Sequence, residues 1–481
     1  MAGPFLPALT RRRFLRGSAA AALVLSAYRP QMAQAAPRRD FKLRCAPGEA
    51  QLVPEQYGKT PVWCFNGSVP GPEIRVKQGE RLRVTVENGL QEETTVHWHG
   101  IRLPHNMDGV PHLTQKPIGP GESFIYEFDA VDAGSFWYHP HQRSSEQVGR
   151  GLYGPLIIEE REPVQVDRDV TWVLDDWRLE PSAAISNDFG NMRDMSHNGR
   201  IGNTVTINGR VPENFSVRKG ERVRLRLINA ANARIFGLDF ADHEPLIVAL
   251  DGQPVTPHAP ADSLVVLGPA MRCDLIIDMA RPPGSRTEII DRFYDGAEYR
   301  LIDLVYGDTP LRDRAPGSSI ALPANSLAEP DLAKATRHEV VFNGGMMAGM
   351  VMRDMGRGMA PGMGDMREMM HSGKIWFING VAAEGHVMKP ILSLARGESA
   401  VIAMTNVTAW HHPMHLHGHS FRVISRNGRP TEHREWQDTV LMAPREQVEI
   451  ALVADNPGDW MFHCHILEHQ ASGMMGVIRV S

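Results

Sequence analysis

The chain has 481 residues, of which 42% are hydrophobic and 22% charged, enough for several ordinary domains rather than one. Its formal charge is −5, and residues 1–35 hold five arginines and no acids, so the remainder stands at −10. A chain that acidic, with no basic run, is a poor partner for nucleic acid.

The N-terminus reads Thr10-Arg11-Arg12-Arg13-Phe14-Leu15-Arg16, then an apolar stretch over 19–27, then Ala33-Gln34-Ala35. A basic region, a short apolar region and a small-x-small site predict an export signal over residues 1–35, too short to anchor the chain. The arginines before Phe-Leu have the form of a twin-arginine signal, which predicts export of an already folded protein to the periplasm. No membrane span is expected in the mature chain. In an oxidising compartment Cys45 and Cys64, on two β-like stretches, could form a disulfide, while Cys273 reads as a small buried hydrophobe.

A repeat follows. Asn66-Gly67 precedes Gly79-Glu80 and Asn88; Asn208-Gly209 precedes Gly220-Glu221 and Asn229; Asn379-Gly380 precedes Gly397-Glu398 and Asn406. Alternation such as Arg222-Val223-Arg224-Leu225-Arg226-Leu227, broken by Gly, Pro and Asn, predicts three antiparallel β-sandwich domains. The boundaries fall at 36–163, 164–335 and 336–481.

The first unit carries His97 and His99 in HWHG and His139 and His141 in WYHPH; the third carries His415 and His417 in HPMHLHGH and His463 and His465 around Cys464. Residues i and i+2 of an extended strand point to one face, so each pair presents two imidazoles together, across Trp98, Pro140, Leu416 and Cys464 respectively. A single such pair among 21 histidines decides little, but four pairs give eight imidazoles, which suit three coppers. The other histidines lack this spacing and read as surface or supporting groups, His411 beside His412 being the least secure of them. Cys464 points away from its two neighbours, and His469 and Met474 follow it at +5 and +10. With His412 these complete the two-His, one-Cys, weak-Met set of a blue-copper centre. Aligning the repeats puts Pro140 where Cys464 stands, so the first unit cannot build that centre. The middle unit has neither pair and reads as a scaffold, with the cluster lying between units one and three.

Residues 344–373 hold ten methionines between 346 and 370, among them Met355, Met359, Met363 and Met366 at near-helical steps. A Met stripe usually packs in a core. Here the flanking Gly, Asp and Arg offer little apolar partner, so soft ligation of Cu(I) is the favoured reading.

Taken together these motifs resemble the three-domain bacterial multicopper oxidases of the laccase and periplasmic cuprous oxidase group, from about residue 40 to the C-terminus. The resemblance implies an all-β fold of three cupredoxin-like Greek-key sandwiches and four copper ions. It implies one type 1 copper on His412, Cys464, His469 and Met474, and one type 2 copper on His97 and His415. Two type 3 coppers would lie on His99, His139 and His465 and on His141, His417 and His463. Four one-electron oxidations would reduce dioxygen to water, with Asp108 assisting proton delivery, although Asp108 before Gly109 also reads as an ordinary turn residue. Two departures bear on this. Relatives with a carboxylate after the second type 1 histidine differ from this chain, which has Gln470, leaving Glu468 as a candidate donor. Cuprous oxidases carry an Asp and a Met where Thr408 and Trp410 stand. Cu(I) is therefore the expected reductant in a copper-tolerance role, with a small phenol or aromatic amine against Trp410 as the laccase-like alternative and copper storage or delivery as a further one.

Overall fold

The computed structural model describes residues 37–317, 320–356, 372–383 and 389–481. The repeat consists of local locks. Asn66, Asn208 and Asn379 have φ near 50°, and Gly67, Gly209 and Gly380 have φ above 70°. Two successive left-handed residues are what a tight type I′ turn demands, and Asn-Gly meets it at little steric cost. Glu80, Glu221 and Glu398 each accept a hydrogen bond from the backbone N–H three residues earlier, at Lys77, Arg218 and Ala395. Asn88, Asn229 and Asn406 are buried, each accepting from the N–H two residues ahead and donating to two carbonyls. A buried amide so satisfied fixes where each strand ends.

Three two-sheet sandwiches result. The first packs the sheet ordered Thr60–Phe65, Arg38–Ala50, Arg81–Asn88, Ser123–Asp129 with the sheet ordered Ile74–Lys77, Gly154–Glu159, Gly134–His139, His97–His99. The middle one has six- and five-stranded sheets. The third has a seven-stranded sheet centred on Ser399–Asn406 and Gln447–Val453, and a five-stranded sheet in which His412–Leu416 lies beside Gly458–Cys464. The expectation of antiparallel sheets needs correction at two places in each copy. Arg38–Ala50, Arg168–Trp177 and Thr336–Gly344 run parallel to Arg81–Asn88, Arg222–Asn229 and Ser399–Asn406. In the other sheet of each copy Ile74–Lys77, Asn214–Val217 and Pro390–Leu394 run parallel to Gly154–Glu159, Tyr299–Tyr306 and Met475–Val480. Alternation along a strand is the same in either direction, so the side-chain pattern carries no sign of it.

One hydrophobic cluster joins the outer sandwiches, running from Leu82, Trp98 and Phe136 to Phe342, Trp376, Trp460 and Phe462, whereas Trp172, Leu225, Leu275 and Ile289 belong to a separate core in the middle sandwich. Cys273 is buried in the latter. The other two cysteines are not joined: all four are free thiols. The register sets Cys45 opposite Phe65 and Ala46 opposite Cys64, so the two sulfurs leave the strand pair on opposite faces. Cys45 Sγ donates to the Glu87 carbonyl and Cys64 Sγ to that of Ala46. No helix among the described residues is long and apolar enough to cross a membrane. The proposed signal at 1–35 lies outside the described residues.

Candidate metal centres

His97–His99 is a three-residue strand, paired with Gly134–His139 so that His97 faces His139 and His99 faces Trp137. Trp98, on the other face, is fully buried against Tyr126, Phe128 and Tyr138. That anchor fixes which way the two imidazoles point. In the third sandwich His415 lies opposite His463 and Met414 opposite Cys464. The four pairs meet between the outer sandwiches. His139 and His465 bring their Nε2 atoms within 3.4 Å, and those of His417 and His463 lie 3.1 Å apart. His141 packs edge-on against His417 and His463, while His97 stacks on His417 and His99 on His415. All eight rings are buried.

Their tautomers suit metal binding. Nδ1 of His97, His139, His415 and His463 donates to the carbonyls of Asp108, Pro140, Asp438 and Cys464, and Nδ1 of His417 donates to Asp108 Oδ2 at 2.8 Å. Each ring therefore turns a bare Nε2 inward, and Nε2 of His97, His141 and His415 is buried with no partner among the described residues. His99 is reversed: Asp438 and Thr439 occupy its Nε2, and Nδ1 has no partner among the described residues. Burial, reinforced by the neighbouring imidazoles, drives His99, His139, His141, His417, His463 and His465 well below the ordinary histidine range, so their lone pairs stay free of protons at neutral pH. Buried lone pairs aimed at one another are the donor set of a cation cluster, and the donor atoms fall into groups within 4.8 Å.

A second group lies on the other face of the Gly458–Cys464 strand. Cys464 Sγ is 3.5 Å from His412 Nδ1 and 3.7 Å from His469 Nδ1. Both outer nitrogens are occupied. His412 Nε2 donates to Thr408 Oγ1 at 2.8 Å, and His469 Nε2 donates to the His197 carbonyl at 2.6 Å. Thr408 Oγ1 donates onward to Asn406, which fixes the tautomer of His412. Trp376 lies against His469, with ring centroids 4.1 Å apart. Met474 is buried, and its carbonyl accepts from Cys464 N–H. Burial pushes the Cys464 thiol up, so releasing its proton requires a cation in exchange.

Of the proton-handling candidates, Asp108 is fully buried against His417, with Oδ1 3.2 Å from His97 Nδ1. It also ends the 3-10 turn His105–Met107, so the turn residue is the same one whose carboxylate lies beside the two imidazoles. Glu468 is not brought to the eight histidines. Its carboxylate accepts from Arg200 N–H and from Asn232 Nδ2, because the helix Leu467–Ala471 turns that side chain toward the middle sandwich, where burial raises its carboxyl. Gln470 is the residue on the right side, its amide nitrogen 3.4 Å from His141 Nδ1 and its Oε1 accepting from Ser144. Among the methionines, Met352 is buried in the helix Ala348–Asp354, Met347 and Met350 are exposed and Met355 caps the helix; Met359, Met363 and Met366 lie outside the described residues.

Asp438 and Thr439 carry no metal-ligand spacing and escape sequence reasoning. Asp438 Oδ1 lies 3.2 Å from His99 Nε2 and 3.3 Å from His415 Nδ1, and Thr439 Oγ1 contacts both rings as well. Against the penalty of burial, the Arg272 guanidinium holds the Asp438 carboxyl well below the usual carboxylate range.

Three cupredoxin-like sandwiches, with a thiolate-imidazole group backing onto a buried cluster of eight imidazoles, define a copper-dependent oxidoreductase that uses oxygen. Multicopper oxidase domain models match residues 48–163, 168–285 and 360–481. The multicopper oxidase MmcO of Mycobacterium tuberculosis is 30% identical over 85% of this chain and 81% of its own. The crystal structure of a multi-copper oxidase from Pseudomonas thermotolerans is 36% identical, covers 93% of this chain and 100% of its own, and superposes with a TM-score of 0.80. A multicopper oxidase from Campylobacter jejuni, described as a metallo-oxidase, is 28% identical over 93% of this chain and 94% of its own, with a TM-score of 0.76. The chain belongs to the multicopper oxidase family.

Proposed function

We propose that this protein oxidises Cu(I) at the expense of dioxygen, using four resident coppers: type 1 on His412, Cys464, His469 and Met474, type 2 on His97 and His415, and a type 3 pair on His99, His139, His465 and on His141, His417, His463. When bound, copper supplies the one-electron steps, by which four electrons and four protons convert dioxygen to two waters. The chain supplies the rest. Cys464 is bonded through its own backbone to His463 and His465, so the path between the two centres is covalent and needs no mobile carrier. Asp108 holds His417 in place and can pass a proton beside His97. The buried walls keep bulk water from the imidazole cluster.

The observation that favours Cu(I) is the capping of both outer type 1 nitrogens. With Thr408 on His412 and the His197 carbonyl on His469, and both rings fully buried, an organic donor has no imidazole edge to touch. The cover is tied to a methionine-bearing turn: Met346 N–H donates to the Ser196 carbonyl, and Trp410 Nε1 to that of Met346. Thioether sulfur is a soft donor suited to Cu(I). A second reading rests on Trp410, half-buried with its ring 5.2 Å from that of His197, which could form the wall of a site for phenols or aromatic amines. The N-terminal pattern supports periplasmic residence after twin-arginine export.

Dioxygen uptake on adding Cu(I) or a bulky phenol separates the readings. Replacing residues 356–371 by a short Gly-Ser linker retains the helix that buries Met352. Cu(I)-driven uptake is expected to fall on the order of tenfold or more, as when outer partners of a metal site are lost, while the low rate with phenol does not fall. Equal effects on both rates would reject Cu(I) as the preferred donor.

A further inference from the structure

The middle sandwich holds none of the histidine pairs, yet two of its residues close the back of the eight-imidazole cluster. Arg272, at the start of the strand Arg272–Asp278, is fully buried, and all five of its N–H groups are used. Nη1 donates to Asp438 Oδ1 and the Ala270 carbonyl, Nη2 to Asp438 Oδ2 and the Asp251 carbonyl, and Nε to the carbonyl of Ser135 in the first sandwich. Asp251 sits in the turn between Leu246–Leu250 and Gln253–His258. Its Oδ2 accepts from the backbone N–H of both Asp438 and Thr439, and its Oδ1 from that of Arg272. The sequence makes room for this: Gly100, next to His99, has φ +85°, and a Cβ there would meet Arg272 Nη2 at 2.2 Å and Asp438 Oδ2 at 2.6 Å. A buried ion pair is a poor source of net stability, so its placement calls for another role.

We propose that Arg272 and Asp251 are positioning residues for the oxygen-reducing centre, fixing the Asp438–Thr439 pair that orients His99 from one outer sandwich and His415 from the other. Two charged side chains hold one backbone segment from two directions, the guanidinium by its carboxylate and Asp251 by its amides. His99 and His415 take their ring orientation from that segment. The middle sandwich thereby sets the geometry of a site to which it donates no ligand. This inference rests on the assignment of the eight imidazoles to copper.

The test uses copper-loaded full-length protein carrying Arg272→Lys, which keeps the charge but loses the two-pronged contact, or Asp251→Asn, which carries the test should the lysine variant not fold. The readouts are copper content, the electron paramagnetic resonance signal of the non-blue copper, thiolate-to-copper absorbance, and the rate at which reduced protein is reoxidised by dioxygen. Absorbance and anaerobic reduction by Cu(I) are expected to match the unaltered protein. The non-blue signal should shift or vanish, and reoxidation should slow about 10- to 100-fold, the usual cost of losing an outer partner at a metal site. Asp176→Asn, which breaks the buried pair with Arg234 elsewhere in the middle sandwich, should lower the melting temperature yet leave the non-blue signal and reoxidation alone. The proposal fails if Arg272→Lys and Asp251→Asn keep the native signal and reoxidation rate, or if Asp176→Asn disturbs both equally. Absence of a non-blue signal from the unaltered, copper-loaded protein would instead overturn the imidazole assignment.

Discussion

Asp108 reaches two imidazoles at once, through its carbonyl to His97 and its carboxylate to His417. Removing only the carboxylate, as in Asp108→Ala, should leave the thiolate-to-copper colour intact and lower kcat by about 10- to 100-fold, the range for outer partners of metal ligands; an unchanged kcat would confine the residue to its turn. Gln470 offers the converse experiment. It lies against His141 on the side of the eight-imidazole cluster, and an amide cannot relay protons. Gln470→Glu should speed reoxidation by dioxygen without changing anaerobic reduction of the type 1 centre, as read by stopped-flow absorbance. Both positions are legible as residues at set distances from a histidine, +11 and +1. Glu468 is equally near in sequence but points elsewhere, because one helical step rotates its side chain by about 100° relative to its neighbour. Asp438 meets His99 across 339 positions, and no local pattern carries a contact of that span.

At the scale of elements, turns set the positions of ligands. Gly109 has φ +83°, and a Cβ there would lie 1.9 Å from the Val96 carbonyl oxygen, on the residue just before His97. Gly109→Ala should therefore push the Asp108 turn away from the histidine strand. We expect a loss of about 1–3 kcal/mol, the usual cost of a non-glycine residue forced into such a conformation, together with a changed non-blue signal; denaturant melts and paramagnetic resonance on one sample would check both. The Asn-Gly turns, Gly-Glu corners and terminal Asn locks were readable because each acts within a few residues. So was the two-residue spacing of the histidines, since extended backbone has no other way to aim two rings together. The parallel pairing that opens each sandwich was not, and neither was the separation of Cys45 from Cys64, which depends on a register offset of one.

Across the whole molecule, the outer sandwiches share a core and carry the imidazole cluster between them, and burial has driven its rings below their ordinary titration range. In the copper-free protein such rings bind fewer protons folded than unfolded, so stability present above pH 6.5 is lost as pH falls below it. His419, displaced by burial from 6.5 to about 4, alone accounts for about 3 kcal/mol of that loss between those values. Calorimetry of the metal-free protein should show a melting temperature that falls steeply from pH 7 to 5, whereas a flat profile would contradict the burial of these rings as neutral bases. Three units and the assignment of the cluster to the first and third were legible from which repeats carry histidine pairs. The share of the middle unit was hidden, because Arg272 and Asp251 act on backbone and carboxylate rather than through any ligand-like motif.

The donors of the imidazole cluster fall at 97–141 and at 415–465, with the whole middle sandwich strung between them. A ribosome still decoding position 400 has released only half of that set, and no partial product can close the cage. Loading with metal is thus confined to finished chains, and the interval between translation and activity is governed by the last strands to emerge.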